Sequence, residues 1–474
     1  RRAATGPCGA RWPNGSTWSS RSSLRVDFHS CLDWGPGRPT CEPSTQRTND
    51  GGPVSSHRQL RRRSLAAGRR LVDLIGPTSD AARQSLTALG FNSTSSFVAG
   101  LILASALGTF QRYPTLLTLV PAAIGLRGNV MGGMGNRLST AIHTGTFSVS
   151  LRGGTVMGQN VSASLALSSV LSFALAVIAS VVGRAFGLEG NINLGQLAMV
   201  SIVGGVVASV LVLIATVGLA VLGVRRNWDL DNLVAPSVST LGDVITVPML
   251  YLASLALAWP RVLTTTIGWV LAVASVVWFV VALRSRLPVL SQVCRESAPI
   301  LVVAAALSTM AGVVVTKQLD AFALVPTLFI LAPAFVSSAG ALGGILSSRL
   351  ATKWHLGLAD PDVVPGPEVR RDILTICAIG IPVFLYNAVG AQLLGRLTGQ
   401  ASPGLVPMIV GTLSAGVVVL AVVAALAYYG TIAAWRLEVD PDTYGTPTVT
   451  ASMDFIGVVA LVVAFSAFGW IATV

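Results

Sequence analysis

Two aspartates stand in the middle of long apolar stretches, Asp243 in VSTLGDVITVPML and Asp454 in VTASMDFIGVVAL. A charged side chain at the centre of a membrane helix costs roughly 2.5–3.5 kcal/mol on insertion scales, so such residues face a bundle interior or a polar pathway. Both follow one frame, D-x-D-x4-P-x6-D: Asp229, Asp231, Pro236 and Asp243, then Asp440, Asp442, Pro447 and Asp454. The constant offset (454 − 243 = 211) points to a cation site shared between two duplicated halves.

The chemistry available is that of hard oxygen ligands. Carboxylates with little sulfur or imidazole suit Mg2+ or Ca2+ better than zinc or copper. Two carboxylates alone cannot dehydrate Mg2+, so the expectation is a largely hydrated ion held between Asp243 and Asp454. Asp243 lies twelve residues past Asp231, about 18 Å along a helix and near mid-membrane. One turn before each deep aspartate stands a hydroxyl on the same face, Ser239 and Thr450. Pro236 and Pro447 fall in the first turns, where a kink or a wider entrance is permitted. Asp229, Asp231, Asp440 and Asp442 read either as helix N-caps or as a cytoplasmic acidic vestibule that concentrates cations. A different chemistry, intramembrane aspartyl proteolysis, also needs two membrane aspartates. The residue before Leu241-Gly242-Asp243 is Thr240, however, which leaves a GxGD signature incomplete, and Asp454 has no such motif. The sequence therefore predicts no enzyme.

A second pair of segments carries the duplication further. Residues 121–145 and 333–357 align without gaps, sharing Pro121/Pro333, Gly128/Gly340, Gly132/Gly344, Arg137/Arg349, Thr140/Thr352 and His143/His355 at an offset of 212 (333 − 121). Gly128, Asn129 and Gly132, with Gly340 and Gly344, read either as small-residue packing or as the lining of a pathway. The histidines read as loop-bonding residues at an interface rather than metal ligands.

The elements that must position these groups are membrane helices. The chain is 52% hydrophobic and only 11% charged, its mean hydropathy is +0.70, and soluble domains average about 25% charged residues. Apolar runs recur from residue 95 onward and give eleven spans near 93–110, 114–141, 161–186, 196–223, 232–258, 262–283, 298–316, 322–350, 371–397, 404–434 and 443–472. The predicted fold is an all-α polytopic membrane protein of 5+1+5 helices. A basic, unstructured region (1–90) precedes a first repeat (91–258), a linker helix (259–290) and a second repeat (291–474). The odd linker span makes the repeats parallel, related by a pseudo-two-fold axis along the membrane normal. Twelve basic residues fall on one set of loops against five on the other, which puts the N-terminus in the cytoplasm and the C-terminus outside.

The net charge of +12 is concentrated early, with Arg61, Arg62, Arg63, Arg69 and Arg70 clustered. That region reads as disordered. It lacks the apolar core of a signal peptide, and with Arg1 first and Met131 the first methionine, part of it reads as a start-site artefact. A basic arm on anionic lipid is the functional alternative; no folded module supports nucleic-acid binding. Of five cysteines, Cys8, Cys31 and Cys41 lie in this tail, and no C-x-x-C pair marks a zinc site or disulfide framework.

The segment PAAIGLRGNV followed by RLSTA, together with DLDN…P…LGD, resembles the second- and fifth-helix signatures of MgtE-type magnesium transporters. Two such domains joined by an extra span resemble the solute carrier family 41. The resemblance implies a Mg2+ pathway between two five-helix domains in the plasma membrane, lined by the second and fifth helices. The ion-binding aspartate maps onto Asp243 and Asp454, and the family's Gly-Asn turn onto Gly128 and Asn129. The second half has Gly340-Ala341 instead, so the pathway is asymmetric. No acidic cytosolic sensor module fits in the basic N-terminal region. The resemblance leaves open a channel, a Na+-coupled exchanger, and a carrier of another divalent or organic cation. One chain carries both half-sites, so a monomer suffices and a homodimer is allowed.

Overall fold

The structure, a computed structural model, describes residues 79–188, 192–226, 230–437 and 445–470, with side chains left out of the description at 79–82, 143 and 223–239. Eleven long helices among the described residues are apolar enough to cross a membrane. In a bilayer core every backbone N–H and C=O must be satisfied inside its own segment, and the helix does this locally. The first group is α1 (Ser79–Ser105), short α2 (Leu107–Arg112), α3 (Thr115–His143), α4 (Val156–Ala185), α5 (Leu194–Arg226) and α6 (Leu230–Leu255). Next comes α7 (Arg261–Leu283). The last group is α8 (Pro288–Lys317), short α9 (Leu319–Leu324), α10 (Thr327–His355), α11 (Pro367–Leu397), α12 (Leu405–Arg436) and α13 (Thr446–Ala467).

Helix ends differ from the hydropathy windows where polar turns extend an apolar span. α1 begins at Ser79 rather than near 93, so residues 79–90 are helical. α8 begins at Pro288 rather than near 298: Leu287 is extended, and proline at the first helical position lacks only an N–H that would be unpaired there. The first span also breaks at Ala106, leaving α2 as a separate turn of helix.

The same offset of 212 governs the architecture. It relates α2 to α9 and α3 to α10 at both ends. It also relates the glycines that stop α3 and α10, Gly145 (φ 70°) and Gly357 (φ 66°), in a left-handed conformation open to glycine. Packing recurs in the same pairs. α3 lies on α4 and α6 as α10 lies on α11 and α13, and α5 lies on α6 as α12 lies on α13.

The two groups are interlocked rather than side by side. α1 packs on α10, and α8 packs on α3. Each crossing passes through a glycine. A Cβ on Gly100 would lie 2.6 Å from Ile330 Cα, and one on Gly312 would lie 2.6 Å from Thr118 Cα. These four positions again differ by 212. Lipid offers no hydrophobic force between helices, so close backbone approach at small residues and polar side-chain bonds carry the association. At the α1–α10 crossing Asn92 donates to Ser337 Oγ at 2.9 Å, and the Ser93 and Ser338 hydroxyls are 3.0 Å apart.

α7 packs mainly on α5 and α4, with Gly268 and Gly195 meeting backbone to backbone. Its outer face exposes Val262, Val270, Val273, Val277 and Val281. It lies on the outside of the bundle.

Candidate functional site

α3 and α10 flank a cavity of about 420 Å3, closed by parts of α1, α6 and α13. Its wall on α3 runs from Leu117 to Asn136, roughly 28 Å at 1.5 Å per residue and close to a hydrocarbon core of about 30 Å. Asp243 and Asp454 both line it. So do Gly128, Asn129, Gly132, Gly340, Gly344, Thr450 and Pro447. Asn129 faces the cavity on one side and Ala341 takes the matching place on the other.

Asp229, Asp440 and Asp442 lie outside the described residues, and Asp231 and Ser239 are described by backbone alone, within α6. His355 places Nδ1 2.7 Å from the Ala351 carbonyl, one turn earlier in its own helix, with the ring edge-on to Trp435, and the His143 side chain lies outside the described residues.

Prolines interrupt the hydrogen bonding of the wall helices at matched points. Pro121 and Pro333 lie inside α3 and α10 and line the cavity. A proline supplies no N–H, so the carbonyls of Leu117 and Phe329 lose that helical donor. Small residues one to three turns later (Gly125, Gly128, Gly132; Gly340, Gly344) keep the wall open to side chains from α6 and α13.

Two serine hydroxyls bond Asp243 and one bonds Asp454. Ser96 on α1 donates to Asp243 Oδ2 at 2.9 Å, and Ser337 on α10 donates to the same oxygen at 3.0 Å. Ser308 on α8 donates to Asp454 Oδ2 at 2.5 Å. Ser96 and Ser308 are 212 residues apart. Sequence reasoning missed both, because it traced the duplication only through the second and fifth spans. Sliding α1 onto α8 by the same offset pairs Ser96 with Ser308 and Gly100 with Gly312.

Among the described residues no three His, Cys, Asp or Glu side chains converge on a point. Two carboxylates, asparagines and hydroxyls line the cavity, a donor set that suits a hydrated cation better than a dehydrated one. Thr450 stands one turn before Asp454, but its hydroxyl donates to the Pro447 carbonyl at 3.1 Å, leaving only acceptor capacity.

A buried base lies behind this wall. Arg127 on α3 is 2% exposed. Its guanidinium donates to the Ala123 carbonyl at 2.9 Å and to Ser172 Oγ at 2.8 Å, and its Nε has no partner. Gly242, the neighbour of Asp243, packs against the backbone and Cβ of Arg127. The sequence had marked this position only as part of a signature.

The MgtE family model, described as a divalent cation transporter, matches residues 120–253 and again 332–464, together more than half of the chain. The chain is 24% identical over 424 residues to mouse solute carrier family 41 member 3, covering 83% of this chain and 86% of that protein. It is 25% identical over 384 residues to Xenopus laevis solute carrier family 41 member 2 (75% of this chain, 66% of that protein). The human member 2 is 25% identical over 381 residues (75% and 64%). No solved structure matches significantly.

Proposed function

We propose a mechanism from one premise: this chain belongs to the MgtE family of divalent cation transporters. It is a multi-pass membrane transporter, not an enzyme. Its cargo is Mg2+, and the ion passes between two parallel five-helix repeats, α1–α6 and α8–α13, with α7 as linker. The repeats are related by a pseudo-two-fold axis along the membrane normal. The supporting observation is that one cavity has both Asp243 and Asp454 in its walls.

Mg2+ dehydrates reluctantly and keeps several waters when few carboxylates are offered. Asp243 and Asp454 then accept hydrogen bonds from the ion's water shell, while Asn129 and Thr450 line its path. Asp229, Asp231, Asp440 and Asp442 draw cations to the cytoplasmic mouth. The protein sits in the plasma membrane with its N-terminus in the cytoplasm and its C-terminus outside.

Flux into proteoliposomes tests this, with and without an opposing Na+ gradient. Mg2+ uptake that needs no Na+ and is lost in Asp243→Asn is the expected result. Uptake only against a Na+ gradient would make the protein a coupled exchanger. No Mg2+ movement in either condition would refute the assignment.

A further inference from the structure

We infer that the two carboxylates are unequal ligands, with Asp454 the stronger contact for the aqua cation, and that Gly125 and Ser337 set the difference. The inference rests on the transport reading above. Ser337 and Gly125 occupy the same place in the two halves, 212 residues apart. Ser337 donates to Asp243 Oδ2 at 3.0 Å and is itself held by Asn92 at 2.9 Å. Gly125 has nothing to donate: a Cβ there would lie 3.3 Å from Asp454 Oδ2 and 3.7 Å from Ser308 Oγ.

The consequence follows from counting lone pairs. An ionised carboxylate offers about four acceptor positions, two on each oxygen. Ser96 and Ser337 take both positions on Asp243 Oδ2. Ser308 takes one on Asp454 Oδ2, and the other opens toward the space beside Gly125. Asp454 therefore accepts from one more water of the ion's shell. Exposure agrees, since Asp243 is only 4% exposed while Asp454 is not fully buried. Asn92 is matched by Ala304, so the clamp that holds Ser337 has no equivalent beside Gly125.

The experiment places the missing hydroxyl. Gly125 is inside α3 with ordinary helical backbone, so Gly125→Ser brings an Oγ within reach of Asp454 Oδ2. Initial rates of Mg2+ uptake into proteoliposomes, and the rise of Tm with MgCl2 in detergent, are measured for wild type, G125S, G125A, S337A, D243N and D454N. We expect G125S to raise the half-saturating Mg2+ concentration about tenfold, the worth of one charge-assisted hydrogen bond. G125A should shift it less than about threefold, and D454N should lose more uptake than D243N. In the S337A background the two asparagine variants should become equal. Equal effects of G125S and G125A would assign the change to bulk and overturn the inference. So would equal losses in D243N and D454N in an otherwise active protein. If G125S fails to fold, the S337A comparison decides alone. A wild type that moves no divalent cation removes the transport reading, and the inference with it.

Discussion

Arg127, Ser172 and Gly205 meet behind one wall of the cavity; the matching positions behind the other are Ala339, Phe384 and Gly416. In the first recess a Cβ on Gly205 would lie 1.8 Å from an Arg127 nitrogen. In the second a Cβ on Gly416 would lie 2.5 Å from the Phe384 ring, which packs on Phe335 with centroids 4.6 Å apart. Both recesses are filled to contact, one by a guanidinium reaching from α3 and the other by a ring from α11. Filling space therefore does not call for a charge. Arg127 introduces a fixed positive centre on one side of the passage only, and among the described residues no carboxylate pairs with it.

Overfilling either recess should have the largest effect. Gly205→Leu should abolish folded protein, since Arg127 and Ser172 already occupy the space, and Gly416→Leu should do the same against Phe384. Monodispersity in detergent measures both, and a well-folded Gly205→Leu would show that the recess yields. Next, Phe384→Ala should lower stability by about 3–5 kcal/mol, as expected for a truncated buried aromatic, read as a fall in Tm with the fold retained. Ser172→Ala should cost about 1–3 kcal/mol by leaving one guanidinium donor unsatisfied; unchanged Tm would mean water replaces the hydroxyl.

Arg127→Met sharpens the comparison most. It keeps an unbranched stem while removing the charge and the end of the side chain, so the small cavity left should cost stability by roughly 1–3 kcal/mol. Electrostatics should change as well. Removing a cation near a cation pathway should lower the half-saturating Mg2+ concentration severalfold and slow release, as Coulomb attraction to the carboxylates strengthens. Uptake kinetics against Mg2+ concentration check this. Smallest of all, Asn129→Ala makes the two walls alike at one position and should change uptake by about twofold or less if Asn129 only lines the path, as Ala341 does.

The helices and the paired aspartates were legible in the chain because the physics behind them is local. An apolar run of about 20 residues has one cheap solution in lipid, and a carboxylate inside it stands out against that background. The glycine and proline positions of α3 and α10 were legible through their repetition. Ser96, Ser308 and Ser337 were not, since a hydroxyl in a membrane helix commonly bonds its own backbone. Thr94, Thr118 and Thr246 all do so here. Which serine reaches a carboxylate depends on α1 lying against α10 and α8 against α3, a tertiary arrangement without a sequence period. Arg127 was hidden for a related reason: its depth is set by the glycine on α5 that makes room for it.

The crossing of α1 with α10 also imposes an order on biosynthesis. α1 ends at Ser105, while α10 starts at Thr327. At about 5–20 residues per second, translation takes roughly 10–45 s to cover that gap. Throughout this interval Asn92, Ser93 and Ser96 belong to a helix already made, while Ser337 and Ser338 do not yet exist. In that interval α6 supplies Asp243 to Ser96, but Asn92 and Ser93 have no α10 to bond. A ribosome that stalls before α10 leaves α1 docked on α6 through Ser96 and Asp243, with Asn92 and Ser93 lacking their partners Ser337 and Ser338.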